Sequence, residues 1–384
     1  MISLELKTYL DSHRSEMLAL LEQLVSINSS SSCKEGVDQV ADILQKEYEK
    51  EGFSTELLIH SHCGNGLVVT RQGEGAGHLL MICHMDTAYP DEFPKEKPFR
   101  LEGNRAFGPG VLDMKSCIVS CLYVLKGLYA LQVPKLPTIT VLLSGDEEAG
   151  SFAVQQRILE EGKKADWCIV TEGARENGAI VIERKGNAYF HVTAKGRSVH
   201  AGIEPQRGRN AIEELALKIV KLRELNDFEK GSTVTIGILQ GGENRITVAE
   251  HAEMYIDLRY RTKEVGEQLI SQVEQILNTP EIDGVTTTYT LTRNRPPLVQ
   301  VPGSERLQQL VQEAGKELGI PYLTAVTGGV SDGNFVADLG VPTIDGLGPV
   351  GGMMCSPEEY LLTDTLTERA ARMGTVIARL NEPS

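Results

Sequence analysis

Six residues in this chain have types and positions suited to metal-assisted hydrolysis. His84 and Asp86 close the apolar run at 79–87 (LLMICHMDT). Asp113 stands in a Gly- and Pro-containing stretch at 107–115, Glu147 and Glu148 follow the apolar run 139–143, and Glu172 follows 168–171. Charged groups rarely follow buried strands without a partner. One imidazole and several carboxylates converging from different strand ends can hold divalent cations and activate water.

Each residue also has a plainer reading. Residues two apart on an extended segment face the same side, so Asp86 is placed to take the second ring N–H of a cation-bound His84. The same pair suits an ordinary loop turn. Asp113 suits a bridge between cations or the N-cap of the following helix, and the two roles are compatible. Adjacent glutamates cannot point the same way, so one can hold a cation while the other handles a water proton. As a solvated acidic turn they would do neither. Glu172 alone also reads as a cap or salt-bridge partner. His200 lies in the distant segment 195–202. It joins the set only if domains close or another subunit supplies it, and is otherwise a surface-loop histidine.

The elements needed to gather these residues are legible. Helical spacing of apolar residues covers much of the first fifty residues, strands are expected at 66–71, 78–83, 138–144 and 166–171, and an apolar helix at about 115–130. Strands alternating with helices, some apolar throughout, imply an α/β fold with a mixed, largely parallel sheet covered by helices. Ligands collect beyond the carboxyl ends of such strands, where His84, Glu147 and Glu172 lie. From about 184 the order changes to β-α-β-β-α-β, with strands at 188–194, 233–240, 253–259 and 285–291 and helices at 210–224 and 265–277. This is a ferredoxin-like α+β unit. The stretch 293–297 (RNRPP) reads as its exit linker. A helix at 304–318, a Gly-rich loop at 328–333, a short strand near 341–344 and a helix at 363–381 resume the first style. The expected organisation is a catalytic domain from 1–183 and 297–384, with 184–296 inserted.

Composition narrows the partners. A net charge of −15 argues against nucleic acid or an anionic membrane, which need basic patches. No signal peptide or membrane span is expected. Seven cysteines without Cys-x-x-Cys spacing argue against a disulfide framework and for a reducing cytoplasm.

Together the segments CHMDT (83–87), GPGVLDMK (108–115), SGDEEAGS (144–151), TEGARENG (171–178), KGRSVHAG (195–202), GGENRITV (241–248), IDLR (256–259), GGVSDGNF (328–335) and GLGPVGGMMCSPEEY (346–360) resemble, in order, the M20 family of metallopeptidases and amidohydrolases. The glutamate carboxypeptidase branch is the nearest look. The resemblance implies a zinc-peptidase-like catalytic domain with an inserted lid and dimerisation domain. By similarity His84 and Glu172 would hold one metal, Glu148 the second, and Asp113 both. Asp86 would orient His84, and Glu147 would be the general base. His200, from a partner subunit, would stabilise the oxyanion. Asn244 and Arg259 would bind a substrate carboxylate, with Gly328, Gly329, Ser331 and Asp332 lining the pocket. The implied cofactor is Zn²⁺, one or two per chain, with Mn²⁺ or Co²⁺ as substitutes. The implied substrate is a small molecule with a free carboxylate, and the implied assembly a homodimer through 184–296.

The chain departs from the family pattern in two places. Cys355 stands where the family has a metal-ligating histidine, and no histidine follows His251. A thiolate can ligate zinc, but it adds negative charge and favours softer or fewer metals. Either Cys355 ligates a second metal or only the first site remains. Ser116-Cys117 replaces two glycines beside Asp113, and Cys117 and Cys121 are expected in the core. The leading expectation is an amide-bond hydrolase acting on N-acyl amino acids or short peptides. The alternatives are an altered reaction such as deamination, and a non-catalytic carboxylate-binding relative.

Overall fold

The computed structural model describes residues 1–91 and 93–382. The chain divides into two compact units, one of residues 1–183, 300–327 and 331–384, the other of 184–299 with 328–330. Segments 297–299 and 328–330, assigned by sequence to the first domain, therefore pack with the second. Residues 383–384 of the expected last segment lie outside the described residues.

The first unit is built on a six-stranded sheet in the order Ser54–Leu58, Gly66–Arg71, Thr138–Ser144, His78–His84, Trp167–Val170 and Thr343–Ile344. The first two pairings are antiparallel and the remaining three parallel. Both faces are covered, which explains the uninterrupted apolar runs. Along His78–His84, Leu79, Met81 and Cys83 join the core that also holds Leu6, Leu21, Ile118 and Met373. Leu80 and Ile82 point the other way, into a cluster with Ile158, Phe335 and Val336. The carboxyl ends of the central parallel strands then carry the polar residues.

A second, antiparallel sheet was not expected. Gly351–Gly352, Tyr360–Leu362, Arg105–Phe107 and Arg100–Glu102 pair in that order. Tyr360 sits opposite Phe107, which fixes the 353–359 loop against the segment leading to Asp113. The edge strand Ser54–Leu58 was also missed; its residues are exposed or half-buried, with no apolar face to mark it.

The second unit has strands in the order Thr233–Gly241, His251–Tyr260, Gly186–Lys195 and Thr286–Arg295, all antiparallel. With helices Ala211–Arg223 and Lys263–Asn278 closing its core, this is the ferredoxin-like arrangement. Asn210 and Thr262 cap those helices through their side chains. The expected linker begins later than the sequence implied. Arg293 and Arg295 still pair with Gly186–Lys195 across a register shift, and the Arg295 amide donates to Asn187 Oδ1 at 3.0 Å.

Candidate metal centre

Parallel register sets the first half of the site. His84 pairs with Ser144, and Ile82 with Val170. The residues just past these positions, including Glu147, Glu148 and Glu172, therefore emerge at one end of the sheet. His84 and Glu172 are buried, at 2% and 8% exposure. His84 Nε2 lies 3.1 Å from Asp113 Oδ1 and 3.5 Å from Glu172 Oε1. Its Nδ1 is 3.0 Å from the Asp86 backbone carbonyl. That contact suits a proton on Nδ1 and turns Nε2 toward the carboxylates, the nitrogen a cation would take.

The orienting role expected of Asp86 is thus carried mainly by its carbonyl. Its carboxylate is 3.6 Å from Nδ1 and has other work. It accepts the amides of Glu147 and Glu148, each at 3.0 Å, and the Ser31 hydroxyl at 2.7 Å. A fully buried carboxylate satisfied in this way ties the glutamate turn to the His84 strand.

Asp113 does not cap the following helix. Lys115 occupies the N-cap of Ser116–Ala130, without a side-chain capping bond. Asp113 sits instead on an irregular segment, Val111–Lys115, whose Asp113–Met114 peptide bond is cis. Glu359, buried and missed by sequence reasoning, holds this segment. Its Oε1 accepts the amides of Leu112 at 2.6 Å and Asp113 at 2.9 Å, and Tyr89 donates to its Oε2. The available signal was an acid four residues past Cys355 in a motif already singled out.

Cys355, on the 353–359 loop, places Sγ 3.5 Å from Asp113 Oδ2 and 3.9 Å from Glu148 Oε1. Two donor groups result, His84–Asp113–Glu172 and Asp113–Glu148–Cys355, each with its donor atoms within 4.8 Å of one another. Tetrahedral zinc with Zn–N/O of about 2.0–2.1 Å and Zn–S of about 2.3 Å requires donor edges of roughly 3.3 and 3.5 Å. Three of the four measured edges lie close to those values, and the fourth, at 3.9 Å, is longer by a fraction of an ångström. Nitrogen, carboxylate oxygen and sulfur are the donor types a transition-metal pair takes, so the residues fit.

Electrostatics agree. Burial pushes the Glu148 carboxyl up, and Asp113 pushes it further, to about 8. Burial, then Asp113 and Glu148, hold the Cys355 thiol well above its ordinary value. Burial and Asp113 raise Glu359 to about 7. Burial alone would depress the His84 imidazole, but the carboxylates of Asp113, Asp86 and Glu172 outweigh it and hold it well above its usual range. The cluster is too anionic for its degree of burial, and cations relieve that.

Other expected residues fall elsewhere. Glu147 belongs to neither donor group. Ser331 is buried, its hydroxyl donating to Asp345 at 2.7 Å. Asp332 accepts the hydroxyls of Ser144 and Ser151. His200, Asn244, Arg259, Gly328 and Gly329 belong to the second unit. There His200 bridges Thr247, whose amide donates to the Asn244 carbonyl. Asp257 grips Arg259 through Nε and Nη2 at 2.8 and 2.9 Å. Cys117 and Cys121 are buried in the core, as expected.

The Glu359 contacts give a first expected result. Glu359→Ala leaves the Leu112 and Asp113 amides without their acceptor and frees the Asp113 segment, and metal affinity should fall about 10–100-fold, as it does when the groups that orient ligands are lost. Glu359→Gln, which keeps an acceptor for both amides, should remain near wild type. Chelator competition measures both. Equal affinities across the three proteins would exclude a positioning role for Glu359.

Comparison with known proteins converges on the same chemistry. Residues 80–379 match Peptidase family M20/M25/M40. The chain is 30% identical over 372 residues to carboxypeptidase G2 of Pseudomonas sp. (strain RS-16), covering 93% of this chain and 88% of that protein. Its fold is that of a tripeptidase from Staphylococcus aureus subsp. aureus Mu50, with a TM-score of 0.81 and 21% identity over 95% of this chain and 99% of that one. The YXEP protein of Bacillus subtilis, a dinuclear metal binding peptidase, shares the fold with a TM-score of 0.69 and 15% identity over 97% and 99% of the two chains. With the family match spanning most of its length, the chain belongs to peptidase family M20/M25/M40 and is a hydrolytic enzyme of that metallopeptidase and amidohydrolase group.

Proposed function

We propose that this enzyme hydrolyses the amide bond of small substrates carrying a free carboxylate, N-acyl amino acids or short peptides, at a dinuclear cation centre. The observation that carries this reading is Asp113, whose two oxygens face separate donor groups. His84 and Glu172 would hold one cation, Glu148 the second, and Asp113 both, with zinc the best match to the donors. Divalent cations there supply Lewis-acid polarisation of a carbonyl and of an attacking water. Glu147, fixed through its amide by Asp86, takes the water proton and returns it to the leaving nitrogen. His200 of a partner subunit donates to the developing oxyanion. By the family resemblance Asn244 and Arg259 would take the substrate carboxylate. On Arg259, Nη1 is the donor best placed for this, since its contact to the Gly328 carbonyl is long, at 3.5 Å.

A screen of N-acyl amino acids and dipeptides with Zn²⁺, Mn²⁺ or Co²⁺ tests the proposal. Turnover should appear with the metal, vanish with a chelator and weaken when the substrate carboxylate is amidated. Turnover indifferent to chelation would refute it.

We also propose a homodimer through 184–296. Strand Thr233–Gly241 is a long sheet edge exposing Ile238 and Leu239, and helix Ala211–Arg223 exposes Leu217 and Val220. An edge of this kind invites pairing. Sedimentation should give twice the chain mass, and Leu239→Lys should halve it and cost activity. A monomeric wild-type enzyme at full activity would end both the dimer and the His200 role.

A cytoplasmic location is the companion proposal. It rests on seven free cysteines, four of them buried. No helix among the described residues is long and apolar enough to cross a membrane. The acidic charge disfavours nucleic-acid partners.

A further inference from the structure

The two donor groups are chemically unequal. The first offers one nitrogen and two carboxylates, the second two carboxylates and a sulfur, with Asp113 common to both. We propose that Cys355 ligates as a thiolate and makes the Asp113–Glu148–Cys355 group selective for thiophilic divalent cations (Zn²⁺, Cd²⁺, Co²⁺) over oxygen-seeking Mn²⁺ and Mg²⁺. The His84–Asp113–Glu172 group accepts either class. This rests on reading the cluster as a dinuclear cation centre.

Position supports it first. The Sγ distance of 3.5 Å to Asp113 equals the roughly 3.5 Å edge expected between oxygen and sulfur on a tetrahedral zinc. Placement is also built in. The loop holding Cys355 is closed by Gly351–Gly352 pairing with Tyr360–Leu362. It is held by the Tyr89 hydroxyl, whose oxygen lies 2.9 Å from the Ser356 carbonyl while its proton goes to Glu359, and tightened by the Ser356 amide donating to the Met353 carbonyl. Met353 and Cys355 both take left-handed conformations, with φ of 58° and 56°, uncommon for side chains of their size. Those turns present Sγ to the carboxylates. None of the other six cysteines enters a donor group among the described residues.

Donor softness then sets preference, since thiolate favours zinc-like ions and carboxylate alone suits Mn²⁺ and Mg²⁺. Binding forms a sulfur–cation bond and releases the thiol proton to solvent. The cations should load unequally, Mn²⁺ filling one group and Cd²⁺ or Zn²⁺ both.

The test uses the full chain, stripped with a chelator and titrated with Co²⁺ and Cd²⁺. Near-ultraviolet thiolate-to-metal absorption is followed, and bound Cd²⁺ and Mn²⁺ are counted by equilibrium dialysis. Wild type should show the band and bind two Cd²⁺ but one Mn²⁺. Cys355→Ser should lose the band and weaken the second Cd²⁺ by more than about 100-fold, beyond the loss from an outer partner. Cys355→His should regain the second equivalent without the band and admit a second Mn²⁺. Cys63→Ser is the control and should behave as wild type. No band in wild type, an undiminished band in Cys355→Ser, or two equally tight Mn²⁺ in wild type would each overturn the proposal. Turnover measured alongside separates the two readings. Intact hydrolysis with no band removes only the thiolate site, whereas a band with no hydrolysis of any substrate removes only the hydrolase assignment.

Discussion

Asp113→Asn should lose both cations and reduce turnover by at least about 10³-fold. The carboxylate is the one side chain shared by the two donor groups. Lewis-acid stabilisation is worth several kcal/mol, and each 1.4 kcal/mol is tenfold in rate. Asparagine keeps the shape and leaves the Glu359 contacts to the backbone in place, so the segment need not move. In the metal-free protein the change removes a charge that opposes Glu148 and Cys355 and also the carboxylate paired with His84, so the melting temperatures of the two metal-free proteins are compared first. The thermal response then discriminates. A saturating cation at about 100 times its Kd adds about 2.7 kcal/mol to wild type, seen as a higher melting temperature, and should leave the variant unchanged. Two tightly held cations in Asp113→Asn would show that the bridge lies elsewhere.

How much of this was open to reading from sequence follows from how each residue is positioned. His84 closes its strand, and Glu147, Glu148 and Glu172 lie past the ends of theirs; the apolar runs are long enough to recognise, and parallel register brings such ends together. The inserted unit was legible because its helices and strands run for 9–16 residues. The contact between Cys355 and Asp113 was not visible in any pattern. It depends on strands of two and three residues, too short to carry a period. Nor could spacing show that His84 Nδ1 meets the carbonyl of Asp86 and not chiefly its carboxylate, since both lie on the same residue. The N-cap expectation for Asp113 failed because Met114 and Lys115 come before the first regular turn. Asn294 and Arg295 read as linker from their composition, yet the strand absorbs them through a bulge.

Glu147→Gln should lower kcat by about 10²–10⁴-fold, the usual contribution of a positioned acid–base group, while metal content and KM stay near wild type. Glu147 stands outside both donor groups, so the change should not empty them. Its backbone amide is held by Asp86 Oδ1 at 3.0 Å, a contact the substitution leaves untouched. Glutamine preserves size but cannot take a proton from water or deliver one to a leaving nitrogen. A loss of metal together with kcat would instead make Glu147 a ligand. Exchanging the neighbour separates the two roles. Glu148→Gln weakens a donor whose oxygen lies 3.9 Å from Cys355 Sγ, so it should lower second-cation affinity, and excess metal should restore part of its activity. No metal concentration should rescue Glu147→Gln. Rescue of both variants, or of neither, would mean that adjacent glutamates share one role, and the assignment of base and ligand to successive positions would fail.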